Sequence, residues 1–210
     1  MNELDQLLES PASLILLVTN IGVSLAAFSN VRLLDRLLFD VSRMRRNGEW
    51  YRMFTSGFVH GDPFHLFVNM LALYFLGLPL ESIVGTAPFL AIYIGSLLAG
   101  SLWTWMEHFR DLNYRALGAS GAISGVTTAV AMFVPTATIY VFFALPMPLI
   151  LFAALYIGWS AWASSTGVRD GLGHAAHLGG ALAGIAIICI WWPHIPQLMV
   201  DQIMARLRGF

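Results

Sequence analysis

Residues 116–168 read ALGASGAISGVTTAVAMFVPTATIYVFFALPMPLILFAALYIGWSAWASSTGV, a run of 53 residues without one charged side chain. A helix needs about 20 mostly apolar residues to cross the hydrocarbon core of a bilayer. The run is therefore too long for one span and about right for two spans with a connector. Prolines, which end helices, interrupt it at Pro135, Pro146 and Pro148. We predict membrane spans at 117–134 and 147–165.

The rest of the chain has a similar composition. Hydrophobic residues make up 58% of the 210 residues and charged residues only 11%, against about 45–50% and about 25% in soluble domains. A core of this size cannot bury that surplus, so lipid is the simplest solvent. Four further stretches are long and apolar enough to span a membrane: 12–29, 65–83, 88–106 and 172–192. We predict an all-α membrane protein, a single domain over residues 1–210 built as a six-helix bundle.

The longest polar stretch, 30–64, lies between the first two spans and holds six of the eleven arginines. Within it Leu34, Leu37 and Val41 recur at helical spacing beside arginines. This pattern is typical of an amphipathic helix that lies in the membrane interface. We therefore expect residues 30–64 to form an interfacial first loop. The net charge of −1 argues against a nucleic-acid partner.

Polar residues recur where three of the predicted spans begin. Six spans alternate in direction, so the second, fourth and sixth begin on the same membrane face. The second carries His65 and Asn69 on one helix face, the fourth begins near Ser120, and the sixth carries His177 in its first two turns. At about 1.5 Å per residue, all four lie within about 10 Å of one surface. Polar groups in a membrane are costly, so this cluster predicts a functional site.

Glycine pairs allow these spans to approach one another closely. Gly121 and Gly125 in the fourth span, and Gly180 and Gly184 in the sixth, are each four residues apart. Such small-xxx-small pairs permit tight contact between helix backbones in a membrane. We therefore expect short side-chain bridges between these two spans.

The chemistry that suits this cluster is acyl transfer. A serine hydroxyl becomes a strong nucleophile when a neighbouring base takes its proton, and neutral imidazole suits that task near pH 7. We predict Ser120 as the nucleophile and His177 as the general base. Donors for the oxyanion would be the Ser120 backbone N–H, at a helix start, and the side chains of His65 and Asn69. No Asp or Glu accompanies Ser120 and His177 in their spans, which leaves a Ser–His dyad.

Each of these residues also has a simpler interpretation. A serine between glycines in a membrane helix is usually a packing residue, and His65 and Asn69 could satisfy backbone groups where the chain enters the bilayer. His174 and His177, three residues apart, could instead ligate a metal. Further ligands would be His60 and His65, but the carboxylate or cysteine that we would expect beside them is missing.

Taken in order, the motifs resemble those of the rhomboid family, and the resemblance runs from about residue 49 to residue 190. The matching motifs are GxSG at Gly118-Ala119-Ser120-Gly121, AHxxGxxxG at Ala176-His177 with Gly180 and Gly184, HxxxN at His65 and Asn69, an upstream histidine at His60, and a tryptophan–arginine feature at Trp50-Tyr51-Arg52. GxSG alone is a weak signal, whereas these features together, each at the expected place along the chain, form a strong one.

The resemblance implies a serine endopeptidase that cleaves the transmembrane segments of other membrane proteins within the lipid bilayer. It implies a Ser120–His177 dyad below the membrane surface, with neither a metal nor an organic cofactor. His60 and the glycines Gly118, Gly121, Gly125, Gly180 and Gly184 would support this site. The family also contains inactive members, which lack the serine or the histidine. This chain retains both residues. The alternative interpretation is a weak or inactive rhomboid-like protein that binds transmembrane helices.

One departure from the family pattern concerns the base. Many members carry an aromatic residue four positions after the serine, where it stacks on the catalytic histidine, and this chain has Ser124 there. The resemblance then implies that the orientation of His177 depends on another group.

Two signals in the sequence make opposite predictions about the orientation of the bundle in the membrane. Nine of the eleven arginines lie on the first-loop side, and the other two, Arg206 and Arg208, lie on the opposite side. The positive-inside rule alone would place the first loop in the cytoplasm. The resemblance implies the opposite, and we follow it: we expect a multi-pass protein of the bacterial inner membrane whose active site faces outward.

Overall fold

The computed structural model describes residues 10–141, 144–168 and 172–209, and most of them are helical. The helices are α1 (Pro11–Phe28), α2 (Val31–Leu37), α3 (Val41–Asn47), α4 (Arg52–Thr55), α5 (Pro63–Ala72), α6 (Leu78–Val84), α7 (Thr86–His108), α8 (Ser120–Phe133), α9 (Leu149–Thr166), α10 (His174–Trp191) and α11 (Ile195–Arg208). A 3-10 turn covers Ser56–Phe58, and a π-helical turn, Leu73–Gly77, joins α5 to α6. Four short strands are β1 (Phe39–Asp40), β2 (Arg115–Ala116), β3 (Thr138–Val141) and β4 (Leu145–Pro148).

Five helices in the described part of the chain are long and apolar enough to cross a membrane: α1, the continuous stretch Pro63–Val84, α7, α9 and α10. Helix α8 is apolar but has only 14 residues. It corresponds to the fourth predicted span and completes the set of six. The predicted six-helix architecture is therefore confirmed, with one short helix. The observed helices begin and end within three residues of the predicted spans.

Helix α8 lies at the centre of the bundle and is buried along nearly its whole length. Glycines bring its neighbour α10 into backbone contact with it. A Cβ atom on Gly180 would lie 1.9 Å from the Gly121 carbonyl oxygen, and one on Gly184 would lie 2.4 Å from that of Gly125. Since no side chain fits at these distances, the close approach predicted from the glycine pairs is confirmed.

A buried carboxylate, Glu81, ties the second span to the start of the first. It accepts hydrogen bonds from the backbone N–H groups of Ala12, at 3.0 Å, and Ser13, at 2.7 Å, and from the hydroxyl of Thr86 at 2.8 Å. The first N–H groups of a helix have no partner within the helix. Glu81 therefore caps α1, which explains a charge at the end of an apolar span.

The first loop differs from the single amphipathic helix that the sequence predicts. Two helices, α2 and α3, are separated where β1 pairs with β2 in antiparallel register. The reason is local: the Asp40 side chain accepts a hydrogen bond from the backbone N–H of Arg43 at 3.0 Å and caps α3. The same carboxylate lies 3.0 Å from Arg115 Nε, on the partner strand. Asp40 therefore starts a new helix instead of continuing the old one.

A fully buried arginine, Arg52, holds this loop together. One guanidinium nitrogen donates to the carbonyl oxygens of Asp35, at 2.8 Å, and Leu38, at 2.7 Å. Its Nε donates to Glu49 at 2.7 Å. The pKa of the Glu49 carboxyl is lowered to about 2, first by a hydrogen bond from Asn47 and then by Arg52. The arginine of the first-loop motif thus has a structural task here.

Two elements were not predicted from the sequence. Strands β3 and β4 form an antiparallel hairpin in the connector between α8 and α9. Beyond the last span, α11 packs under the end of α8, where Gln202 donates to the Phe133 carbonyl oxygen at 3.2 Å. The ring of Phe133 also lies edge-on to Trp192, with centroids 5.7 Å apart. The C-terminal ends of α8 and α10 are therefore at the same level.

Candidate active site

Ser120 and His177 lie opposite each other where α8 and α10 begin. Ser120 is the first residue of α8 and His177 the fourth of α10. The distance between Ser120 Oγ and His177 Nε2 is 2.8 Å, a normal hydrogen bond. This contact is possible because Gly180, one turn beyond His177, lies directly against Gly121. A hydroxyl on an imidazole nitrogen is the arrangement that can generate a serine nucleophile.

The loop before Ser120 is shaped by Gly118. Its φ of +112° is a conformation that residues with a Cβ rarely adopt. A Cβ there would also lie 2.7 Å from Cε1 of His65, so the His65 ring rests directly on this loop. The Gly118 N–H donates to the Ser56 carbonyl oxygen at 2.9 Å. Both the backbone conformation and the close contact with His65 thus require glycine at position 118, the first residue of the GxSG motif.

His60 connects α1 to the same loop. Its Nδ1 lies 2.9 Å from the Ser24 hydroxyl, and that hydroxyl donates to the Phe58 carbonyl oxygen at 3.2 Å. Since Ser24 uses its proton there, Nδ1 is the donor between them, and Nε2 is left to accept from the Ala119 N–H at 3.4 Å. Burial lowers the pKa of His60 to about 4, against the opposing charge of Asp62. His60 is therefore a neutral support for the residue before Ser120.

Asn69 lies one turn after His65 on α5 and is buried. Its Nδ2 donates to the His65 carbonyl oxygen at 2.8 Å. The ring of His65 is 5.0 Å from that of His60, measured between centroids. The structure thus groups His60, His65 and Gly118 tightly, and holds Asn69 beside them through the backbone of His65.

A residue that the sequence interpretation missed, Tyr156 of α9, completes the surroundings of the dyad. Its ring lies against His177, with centroids 5.4 Å apart and planes inclined by 31°. Its hydroxyl is 2.8 Å from Ser124 Oγ, and Ser124 donates to the Ser120 carbonyl oxygen at 2.6 Å. Ser124, where many family members carry an aromatic residue, therefore connects Tyr156 to the backbone of Ser120.

The histidines do not gather as metal ligands. His174 is buried on α10, with its ring 6.0 Å from that of His177 and 6.3 Å from that of Trp159, between centroids. Within residues 10–141, 144–168 and 172–209, no three His, Cys, Asp or Glu side chains are close enough to hold an ion together.

A small cavity of about 30 Å³ lies beside Ser120. Its lining is mostly apolar but includes the hydroxyl-bearing residues Ser56, Ser101 and Thr104, together with Gly118 and Ser120. A cavity larger than about 15 Å³ has room for a water molecule. Ser120 therefore has space for water next to it, although it belongs to a membrane-spanning bundle.

The comparisons with known proteins agree with these motifs. The sequence model of the rhomboid domain matches residues 47–194. The chain is 36% identical to "Rhomboid protein 1, mitochondrial" of Saccharomyces cerevisiae, covering 73% of this chain and 44% of that protein. It is 29% identical to "Rhomboid protease AarA" of Providencia stuartii, covering 80% and 67%, and 27% identical to "RHOMBOID-like protein 12, mitochondrial" of Arabidopsis thaliana, covering 86% and 57%.

The chain spans roughly half to two thirds of the length of these relatives. The family match nevertheless covers most of this chain, including every residue of the dyad, the histidine–asparagine pair and the glycine motifs. The chain belongs to the rhomboid family.

Proposed function

We propose that this protein is a serine endopeptidase that hydrolyses peptide bonds in the transmembrane segments of other membrane proteins. The observation that carries the proposal is the 2.8 Å contact between Ser120 Oγ and His177 Nε2 inside a bundle of apolar helices. A polar pair at such a place is costly unless it has a task. Among the relatives, the one from Providencia stuartii is named a protease.

In the first half of the reaction, His177 Nε2 accepts the hydroxyl proton as Ser120 Oγ attacks the substrate carbonyl carbon. The new bond is between Oγ and that carbon, and the carbonyl oxygen becomes an oxyanion. The tetrahedral intermediate then collapses as its C–N bond breaks, and the imidazolium gives its proton to the leaving amine. The result is an acyl ester on Ser120 and a free amine.

The oxyanion needs preorganised donors. The Ser120 N–H is one candidate, because the first N–H groups of a helix have no partner within it. The Asn69 amide carries two protons, of which one is directed to the His65 carbonyl oxygen, so the other could serve. His65 lies against the Gly118 loop and is the third candidate. His60 would act only by holding Ala119.

In the second half, water attacks the acyl ester while His177 takes one of its protons, and Ser120 Oγ leaves with that proton restored. The cavity beside Ser120, which is large enough for one water molecule and lined in part by hydroxyl groups, would hold the water. The glycines Gly121, Gly125, Gly180 and Gly184 would act indirectly, because they set the separation of the helices that carry the dyad. The mechanism needs no metal and no organic cofactor.

We further propose that the protein is a multi-pass protein of a bacterial inner membrane with its active site facing outward, although its relatives include mitochondrial proteins. A reporter enzyme fused to the C-terminus would test this orientation. A cytoplasmic reporter is expected, and an extracytoplasmic one would contradict the proposal.

The catalytic proposal can be tested with a fluorophosphonate probe on the purified protein in detergent. We expect the parent to be labelled, and Ser120→Ala and His177→Ala to remain unlabelled. Ser165→Ala, which changes an exposed serine near the end of α9, is the matched control and should be labelled like the parent. A parent that is folded yet unlabelled would contradict the dyad, and would favour a rhomboid protein that binds transmembrane helices without cutting them.

A further inference from the structure

Tyr156, on a third helix, contacts His177 directly and is connected to Ser120 through one intervening residue. Its ring covers His177, and its hydroxyl reaches Ser120 through Ser124. Neither Ser124 nor Tyr156 belongs to the motifs by which the sequence is assigned to its family.

The direction of the hydrogen bonds follows from counting protons. Ser124 has one hydroxyl proton, and it points to the Ser120 carbonyl oxygen at 2.6 Å. Tyr156 must therefore donate to Ser124 Oγ across the 2.8 Å that separates them. Ser124 is almost completely buried, so a lost donor would not be replaced cheaply by water. The two hydrogen bonds from Tyr156 to Ser124 and from Ser124 to Ser120 thus run in one direction, and they hold the Tyr156 phenol in one place.

The phenol in that place restricts the imidazole. The imidazole of His177 is bonded to Ser120 through Nε2. The Tyr156 ring, 5.4 Å away between centroids, lies against one face of the imidazole. The ring of Phe152, one turn earlier on α9, stacks on Tyr156 with planes inclined by 11° and centroids 6.0 Å apart. The Tyr156 ring thus packs between the imidazole of His177 and the ring of Phe152.

Helix α9 is the least enclosed of the long helices. Only 22% of its span residues are buried, against 33–44% for the other four. Its outward face is made of large exposed side chains: Leu151, Leu155, Trp159 and Trp162. Its buried face is made mostly of small ones, such as Ala153, Ser160 and Ala163. Tyr156 is therefore a specific polar link between a peripheral helix and the centre of the bundle.

We propose that Tyr156 is a positioning residue for His177, and that it makes the geometry of the dyad depend on the docking of α9. This rests on the proposed function of Ser120 and His177. With α9 docked, the phenol is bonded to Ser124 and its ring holds the imidazole towards Ser120. A displacement of α9 removes both contacts together, so the base loses the Tyr156 ring when this helix moves outward.

The test measures the kinetics of fluorophosphonate labelling on the full chain, separating the maximal rate constant from the probe concentration at half saturation. Tyr156→Phe keeps the ring and loses one hydrogen bond, so we expect a rate constant about fivefold lower. Tyr156→Leu also loses the ring contact, and we expect a fall of about thirtyfold. The half-saturation concentration should stay close to that of the parent, since Tyr156 acts through His177.

Two further variants sharpen the test. Ser124→Ala removes the acceptor of the same hydrogen bond, so combining it with Tyr156→Phe should add little to either change alone. Trp162→Leu removes an exposed aromatic side chain from the same helix and is the matched control, expected to react like the parent. A variant that misfolds lowers the labelled fraction at saturation but leaves the rate constant of the folded molecules unchanged.

The outcomes separate this proposal from the one on which it rests. A labelled parent with a slow Tyr156→Leu variant and an intermediate Tyr156→Phe variant supports it. A labelled parent with a Tyr156→Leu variant that reacts equally fast overturns the role of Tyr156 alone. Equal slowing by Trp162→Leu also overturns it, because the effect would then belong to α9 in general. A folded but unlabelled parent overturns the dyad itself.

Discussion

Replacing Gly180 by alanine should separate the dyad without touching it. The added Cβ would lie 1.9 Å from the Gly121 carbonyl oxygen, whereas ordinary contact begins at 3.4 Å. The obstacle is backbone, so no side-chain rotation can relieve it. At this level α8 and α10 must move apart by about 1.5 Å, the difference between these two distances.

The dyad lies within one turn of this contact, so it must share most of the displacement. A separation of 2.8 Å between Ser120 Oγ and His177 Nε2 would grow to about 4 Å, which is beyond hydrogen-bond range. Misplacement of reacting groups by about 1 Å costs on the order of 100-fold in rate. Overpacking of this kind destabilises a fold by about 1–3 kcal/mol. We therefore expect Gly180→Ala to lose about 100-fold in labelling rate while most molecules remain folded.

The assay is the fluorophosphonate labelling rate, measured beside the thermal unfolding midpoint in detergent. Gly22→Ala is the control, because a Cβ on Gly22 meets no atom within 4 Å. In a helix this change should stabilise the protein by up to about 1 kcal/mol and leave labelling unchanged. If Gly180→Ala were labelled at nearly the parental rate, the separation of α8 and α10 would not control the dyad, and the argument would fail.

Two further predictions concern stability. Because burial lowers the pKa of His60 from 6.5 to about 4, the unfolded chain binds this proton more readily than the folded one. Stability should therefore fall by up to about 3 kcal/mol as the pH drops from about 6.5 to about 4, and unfolding of His60→Gln should lose this part of the pH dependence; parallel pH profiles for the two proteins would contradict it. Arg52→Ala should cost about 3 kcal/mol, because it leaves the carbonyl groups of Asp35 and Leu38 without their buried donor. Arg52→Lys should fall between, since an ammonium cannot reproduce the planar fork, and an Arg52→Ala variant with the parental unfolding midpoint would refute the role of this side chain.

The membrane fold could be predicted because lipid imposes a strong and simple signal. A span needs about 20 apolar residues, and the chain supplies such stretches separated by charges or prolines. Because consecutive spans alternate in direction, Ser120 and His177 are then predicted to lie at one level of the membrane without any knowledge of their contacts. The glycine pairs at Gly121 and Gly180 predicted the close approach because only small residues permit it.

The elements that the sequence did not reveal have no such signal. Helix α11 carries Gln197, Asp201 and Gln202, so it lacks the apolar run that marks a span, and the preceding proline suggests an end to regular structure. The π-helical turn at Leu73–Gly77 does not change the hydropathy of its span. Tyr156 is 32 residues from Ser124, and no periodicity connects residues on two different helices. Such a pair is visible only when the helices are docked.

Helix α8 is too short to cross the hydrocarbon layer of a bilayer, which determines how deep Ser120 lies below the membrane surface. Fourteen residues extend about 21 Å, whereas the hydrocarbon layer is about 30 Å thick. Phe133 is level with Trp192 at the end of α10; with these two helix ends placed at one membrane surface, the shortfall of about 9 Å lies on the Ser120 side. If the proposed activity holds, the position of the cleaved bond in a substrate depends on its depth below the membrane surface as well as on the substrate's sequence. A bilayer thicker by about 3 Å would then present a bond about two residues away along the same helical substrate, so lipid composition becomes part of the specificity.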